Sequence, residues 1–197
     1  MSSPTAKPVD ALFNPIRLEQ RSLPWQLLAV VIGCALLTLS SYIEVPMIPV
    51  PMTMQTYVVV VLGALYGWRL GALTVMAWLG QAAVGLPVLA GGSGGAAAFI
   101  GPTAGYLVAF PLAAALTGWL AARGWNGQRS AWAFLSMLLG HALCLFLGAL
   151  WLTQLIGLEA AITGGVVPFL SGAVLKSALA AVTLKAIGRG PKPTHPS

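Results

Sequence analysis

The sequence predicts an all-α integral membrane protein of six transmembrane helices with both termini in the cytoplasm. Three observations predict it. Apolar residues make up 58% and charged residues 7% of the 197-residue chain, against roughly 45–50% and about 25% in ordinary soluble domains; so few charges cannot cover a water-facing surface. The apolar residues are gathered into six runs, most of them near the roughly 17–25 residues that a spanning helix needs. The basic residues alternate between loops in the pattern a bilayer imposes.

Residues 1–24 contain Pro4, Pro8, Pro15 and Pro24 with mixed charges before any apolar stretch, which reads as a cytoplasmic tail and not as a cleavable signal peptide. The runs then cover residues 25–43, 54–67, 70–89, 96–122, 131–156 and 165–187, and residues 188–197 form a second cytoplasmic tail. The second run is short. It spans only if part of the Pro-rich stretch before it also sits at membrane depth. No internal repeat or low-complexity linker divides the chain, so 25–187 is expected to be one bundle.

Charge fixes the orientation. Lys7, Arg17 and Arg21 precede run one, and Arg69 lies between runs two and three. Arg123 and Arg129 separate runs four and five; Lys185, Arg189 and Lys192 follow the centre of run six. The opposite loops hold no Lys or Arg, and carry only Glu44 and Glu159. This alternation places both ends inside. It also supports run two, because without that crossing Arg69 would fall on the outer side. Trp25, Trp68, Trp119, Trp125 and Trp132 cluster near the inner ends, where amphipathic rings prefer to lie. The net charge of +6 is thus explained by topology, and nucleic acid is not an expected partner. Cys34 and Cys144 fall inside apolar runs without a CxxC pair, as buried small residues do.

Small residues recur four apart: Ser136, Gly140, Cys144 and Gly148 in run five; Gly101, Gly105, Ala109 and Ala113 in run four; Ala29 and Gly33 in run one. Such stripes let helix backbones approach closely. Internal packing is the expected use, with run one kept as a candidate partner face.

Lys176 carries the functional reading. It is the one Lys, Arg, Asp or Glu well inside a run, where it costs about 2.5–3.5 kcal/mol on insertion scales, and such residues are functional by default. Snorkelling to an interface is hard from mid-helix, and an amine bonded to carbonyls is the other bland reading. With no carboxylate in any run, an anionic ligand from outside is a natural counter-ion.

The outer loops are unusual too. Val45-Pro46-Met47-Ile48-Pro49-Val50-Pro51 cannot be helical, and Gly91-Gly92-Ser93-Gly94-Gly95 is pliable. Non-helical backbone at a membrane is tolerated where it lines a cavity, so the two loops can cap a site. Gln81 and Tyr106, in the outer halves of runs three and four, can reach such a pocket or bond between helices. His141 reads as a packing and hydrogen-bonding histidine. No G-x-x-x-x-G-K-[ST] loop or metal-ligand cluster occurs. Gly91-Gly92-Ser93-Gly94 matches the GxSG of intramembrane serine proteases, with His141 as base, but the motif is loose and the depths of the two residues differ.

Taken together, Val50-Pro51-Met52-Thr53-Met54-Gln55, Leu79-Gly80-Gln81-Ala82-Ala83-Val84-Gly85-Leu86-Pro87-Val88, Gly101-Pro102-Thr103-Ala104-Gly105-Tyr106 and Pro168-Phe169-Leu170 leading to Lys176 resemble the BioY family. These are the substrate-binding (S) components of energy-coupling-factor (ECF) vitamin transporters. The resemblance implies a six-helix fold in the bacterial plasma membrane that takes biotin from outside, with no cofactor and no enzymatic activity. It implies ligand contacts at Gln55, Gln81, Tyr106 and Lys176, and as partners a membrane coupling subunit and cytoplasmic ATP-binding subunits. It also suggests Ala29 and Gly33 as a docking face for the coupling subunit. In the family pattern an Asp stands three residues before the lysine. Here Ala173 stands there, which removes a hydrogen-bonding carboxylate from beside Lys176.

Overall fold

In a computed structural model of the protein, the described residues are Leu18 and 21–188. The expected tails, with Lys7, Arg17, Arg189 and Lys192, lie almost wholly outside them. The described chain forms seven α-helices: α1 (Leu23–Ser41), α2 (Gln55–Tyr66), α3 (Trp68–Ala83), α4 (Ala104–Ala122), α5 (Ser130–Ile156), α6 (Leu158–Gly165) and α7 (Val167–Ile187). Six of them answer to the six apolar runs, but α3 ends at Ala83 where its run is expected to reach residue 89, and α4 starts at Ala104 where its run is expected to start at residue 96. The additional one, α6, is an eight-residue helix in the loop that the sequence reading treats as a connector carrying Glu159. It is bounded by Gly157 and by Val166, whose non-helical conformation separates it from α7.

The chain is built for lipid. Leu27, Val31, Val108, Phe146, Leu175 and Val182 all point outward and are exposed, as helix faces in a bilayer must be, while the small residues point inward. Ser136, Cys144, Ala109 and Ala113 are fully or almost fully buried, in the α4–α5 pair at the centre of the bundle. At Gly148 the approach is so close that a Cβ would overlap the Tyr106 ring. Four segments, Leu23–Ser41, Ala104–Ala122, Ser130–Ile156 and Leu158–Ile187, are long and apolar enough to cross a membrane by themselves.

The remaining crossing pair shows how the short second run works. The twelve residues of α2 rise about 18 Å at about 1.5 Å per residue, little more than half of a hydrocarbon core of about 30 Å. The start of α2 stands beside the middle and inner part of α7, where the Tyr57 hydroxyl is 2.9 Å from that of Thr183. The outer part of the path is non-helical. Two short strands, β1 (Glu44–Val45) and β2 (Met52–Thr53), pair antiparallel with Glu44 opposite Thr53. Between them Val50 is buried. The end of the Pro-rich stretch therefore turns into the bundle at Val50, while Val45, Pro46 and Ile48 stay exposed. At the inner end of α2, Gly67 takes φ 85, a left-handed conformation that favours glycine, and turns the chain directly into α3.

Contacts tie the inner ends together. Tyr66, ending α2, donates to the Ala29 carbonyl at 2.9 Å near the start of α1. Gly118 near the end of α4 packs on Trp68, and Gly127 in the α4–α5 loop packs on the Leu184 carbonyl of α7. The same end carries the Arg69 guanidinium 4.8 Å from the Trp68 ring and that of Arg123 3.4 Å from the Trp119 ring. Trp125 and Trp132 pack with ring centroids 4.5 Å apart. This is the belt of basic and aromatic residues that sequence places at the cytoplasmic face.

One expectation is corrected here. Ala29 and Gly33 on α1 do not form a free docking face. Both are buried; the Ala29 carbonyl accepts from Tyr66, and a Cβ on Gly33 would lie 2.5 Å from Thr74 Cγ2. Their small size serves the packing of α1 on α2 and α3.

Candidate binding site

A cavity of about 270 Å³ opens among the outer loops and the middle of the bundle, close to the lower end of small-molecule pockets, roughly 300–1,000 Å³. Helical spacing builds its walls. On α7, Phe169, Ala173 and Lys176 fall at i, i+4 and i+7 and share one face; on α4, Tyr106 and Phe110 do so at i and i+4; on α5, His141 stands near Cys144 and Leu145. The hairpin contributes Val50, Pro51 and Thr53, the Gly-rich loop Leu89, Ala90 and Ser93, and the first turn of α2 Gln55 and Thr56. Both outer loops thus form walls of one cavity.

Lys176 stands at its polar end. Nζ donates to the Thr53 carbonyl and to Thr56 Oγ1, each at 2.9 Å. An ammonium has three protons, so one is left for the cavity. Glu44 and Glu159, the carboxylates of the described residues, are not among the lining residues. Gln55 is buried; its Oε1 accepts from Thr53 Oγ1 at 3.0 Å, while Nε2 has no partner. A buried amide left so is expensive unless something supplies an acceptor.

Tyr106 also lines the cavity, yet its hydroxyl donates to the Gly165 carbonyl at 2.7 Å. It therefore offers mainly its ring, stacked on Phe169 with centroids 6.3 Å apart. Leu107, Phe110 and Leu145 extend this apolar part. The arrangement is an apolar slot with a cation and an amide donor at one side, suited to a compact ring bearing hydrogen-bonding oxygen.

Gln55, Tyr106 and Lys176 come together as sequence reading expects. Gln81 stands apart: it is not among the lining residues, and its side chain lies near the Cys34 thiol on α1. Thr56, which helps hold Lys176, was not singled out; its signal is the polar cluster Thr53-Met54-Gln55-Thr56. Ser93 and His141 both touch the cavity, but Ser93 Oγ donates to the Ala90 carbonyl at 2.8 Å, and His141 Nδ1 lies 2.9 Å from the Met137 carbonyl and 3.1 Å from Ser177 Oγ. No nucleophile–base pair is assembled between them.

Comparisons with known proteins agree with one another. The model of the BioY family matches residues 15–192. The biotin transporter BioY of Thermotoga maritima is 34% identical over 80% of this chain and 92% of the relative. That of Rhizobium etli is 37% identical over 74% and 81%. The crystal structure of the S-component for biotin from an ECF-type ABC transporter superposes with a TM-score of 0.72 at 29% identity, covering 84% of this chain and 92% of that one.

Proposed function

The chain belongs to the BioY family, and from that premise we propose that it captures biotin from the outer side of the cell membrane and serves as the substrate-binding component in its uptake. It is a transporter component and not an enzyme. The observation that carries the reading is the convergence of Lys176 and Gln55 on one cavity with an aromatic floor. Lys176, with one proton uncommitted, supplies positive charge; the amide of Gln55 orients the ligand; the ring of Tyr106 packs against its apolar surface. The hairpin and the Gly-rich loop close over it.

Energy comes from partners in this reading: a membrane coupling subunit and cytoplasmic ATP-binding subunits. It is supported by the likeness to an S-component and by the lack of a P-loop in this sequence. Since Ala29 and Gly33 are consumed by internal packing, docking of the coupling subunit falls to other surfaces. The decisive experiment is equilibrium binding of radiolabelled biotin to the purified, detergent-solubilised protein. Tight saturable binding is expected. No biotin binding, with another vitamin bound instead, would overturn the substrate assignment.

A further inference from the structure

The polar groups of the cavity differ in how far the protein itself satisfies them. Lys176 Nζ and Gln55 Nε2 are donors with capacity to spare. The acceptors in the wall are largely committed: the Thr53 carbonyl and Thr56 Oγ1 to Lys176, and Gln55 Oε1 to Thr53. The Tyr106 and Ser93 hydroxyl protons go to backbone carbonyls, which leaves those two oxygens able only to accept. Ala173, on the same face as Lys176, has no polar side-chain atom to offer.

His141 adds a ring nitrogen that is buried and has no partner at all. A carbonyl only accepts, so the 2.9 Å contact to the Met137 carbonyl requires the proton on Nδ1. In the neutral ring Nε2 is then a bare acceptor. It is buried without a partner in a side chain that is 2% exposed and lines the cavity. With Nδ1 held against its own helix and Ser177, Nε2 is the ring nitrogen left without a protein partner.

We propose that Nε2 of His141 is the acceptor for an N–H of the bound ligand, and that it selects cyclic ureas and amides over isosteres lacking that proton. The proposal rests on the reading above, in which the ligand is biotin and the N–H belongs to its ureido ring. Lys176 and Gln55 then serve the ligand's oxygens, and His141 its nitrogen.

The test is a binding comparison of wild type, His141→Leu and His141→Gln with two ligands, biotin and biotin methylated on a ureido nitrogen. Loss of a buried acceptor of this kind corresponds to roughly 10- to 100-fold in affinity. His141→Leu should lose that factor for biotin. His141→Gln, which keeps an acceptor oxygen, should recover most of it. One of the two N-methyl isomers should bind wild type correspondingly worse, and His141→Leu should no longer discriminate against it. A role in packing alone would lower the melting temperature without changing this discrimination. Wild type that binds biotin but tolerates methylation at either ureido nitrogen overturns the proposal, even should His141→Leu fail to fold; so does a folded His141→Leu with unchanged biotin affinity. Failure of wild type to bind biotin at all overturns the functional reading instead.

Discussion

Replacing Lys176 by Met should separate binding from stability, because the first should fall while the second stays nearly unchanged. The side chain keeps its length and loses its charge. For binding, one ammonium proton faces the cavity while two are held by Thr53 and Thr56. A hydrogen bond to a charged group contributes about 1.5–3 kcal/mol, so biotin affinity should fall by roughly 10- to 150-fold. For stability, the variant loses those two internal bonds. It is also relieved of a membrane-buried cation that costs about 2.5–3.5 kcal/mol on insertion scales. Replacing a buried charge by an apolar residue of similar volume is often neutral or favourable. The ligand-free protein should therefore melt close to wild type. The assays are equilibrium binding of radiolabelled biotin and thermal unfolding in the same detergent without ligand. An unchanged Kd in folded Lys176→Met would refute the reasoning. A collapse of the ligand-free melt that accounts for the lost binding would refute it too, since the lysine would then be structural.

Other substitutions report on the remaining walls. Gln55→Leu should weaken biotin by roughly 2- to 12-fold, the worth of one neutral hydrogen bond of about 0.5–1.5 kcal/mol, in the same binding assay. Gln81→Ala should change Kd by less than about twofold, as substitutions away from a site do, because its side chain lies beside Cys34 and not in the cavity. Gly148→Ala should destabilise by about 1–3 kcal/mol through overpacking, since its Cβ would overlap the Tyr106 ring that forms the cavity wall; thermal unfolding and biotin binding should fall together.

Much of this architecture is legible in the chain itself, for reasons that differ by residue. Arg69 identifies α2 as a crossing because the positive-inside rule acts on loop charges whatever the length of the helix they flank. Lys176 is conspicuous because the bilayer makes an intramembrane cation rare. The stripe Ser136-Gly140-Cys144-Gly148 announces a packed helix face by its spacing, but spacing does not say which neighbour it meets. Hence Ala29 and Gly33 read equally well as a partner surface until Thr74 and Tyr66 are seen against them. Gln81 lies outside the cavity lining for the same reason: depth in the membrane can be counted along a sequence, whereas the direction a helix presents inward depends on its rotation within the bundle. The helix α6 was missed because eight residues between Gly157 and Val166 are too few for a periodic pattern. His141 is bonded within the bundle, as its place in an apolar run suggests; which of its nitrogens is left over is a matter of tautomer and contact that no sequence displays.

The two bonds from Lys176 to Thr53 and Thr56 also bear on time as well as affinity. The hairpin is one wall of the cavity, and its end at Thr53 is fastened by the same nitrogen that faces the ligand. Swinging that wall aside means releasing the Thr53 carbonyl while the ligand is still in place. Were the hairpin to open for ligand entry and exit, one ammonium group would resist both, lengthening the lifetime of the loaded state and slowing refilling of the empty one. A chain that must scavenge a scarce nutrient gains from the first, and the second sets how quickly it can do so again.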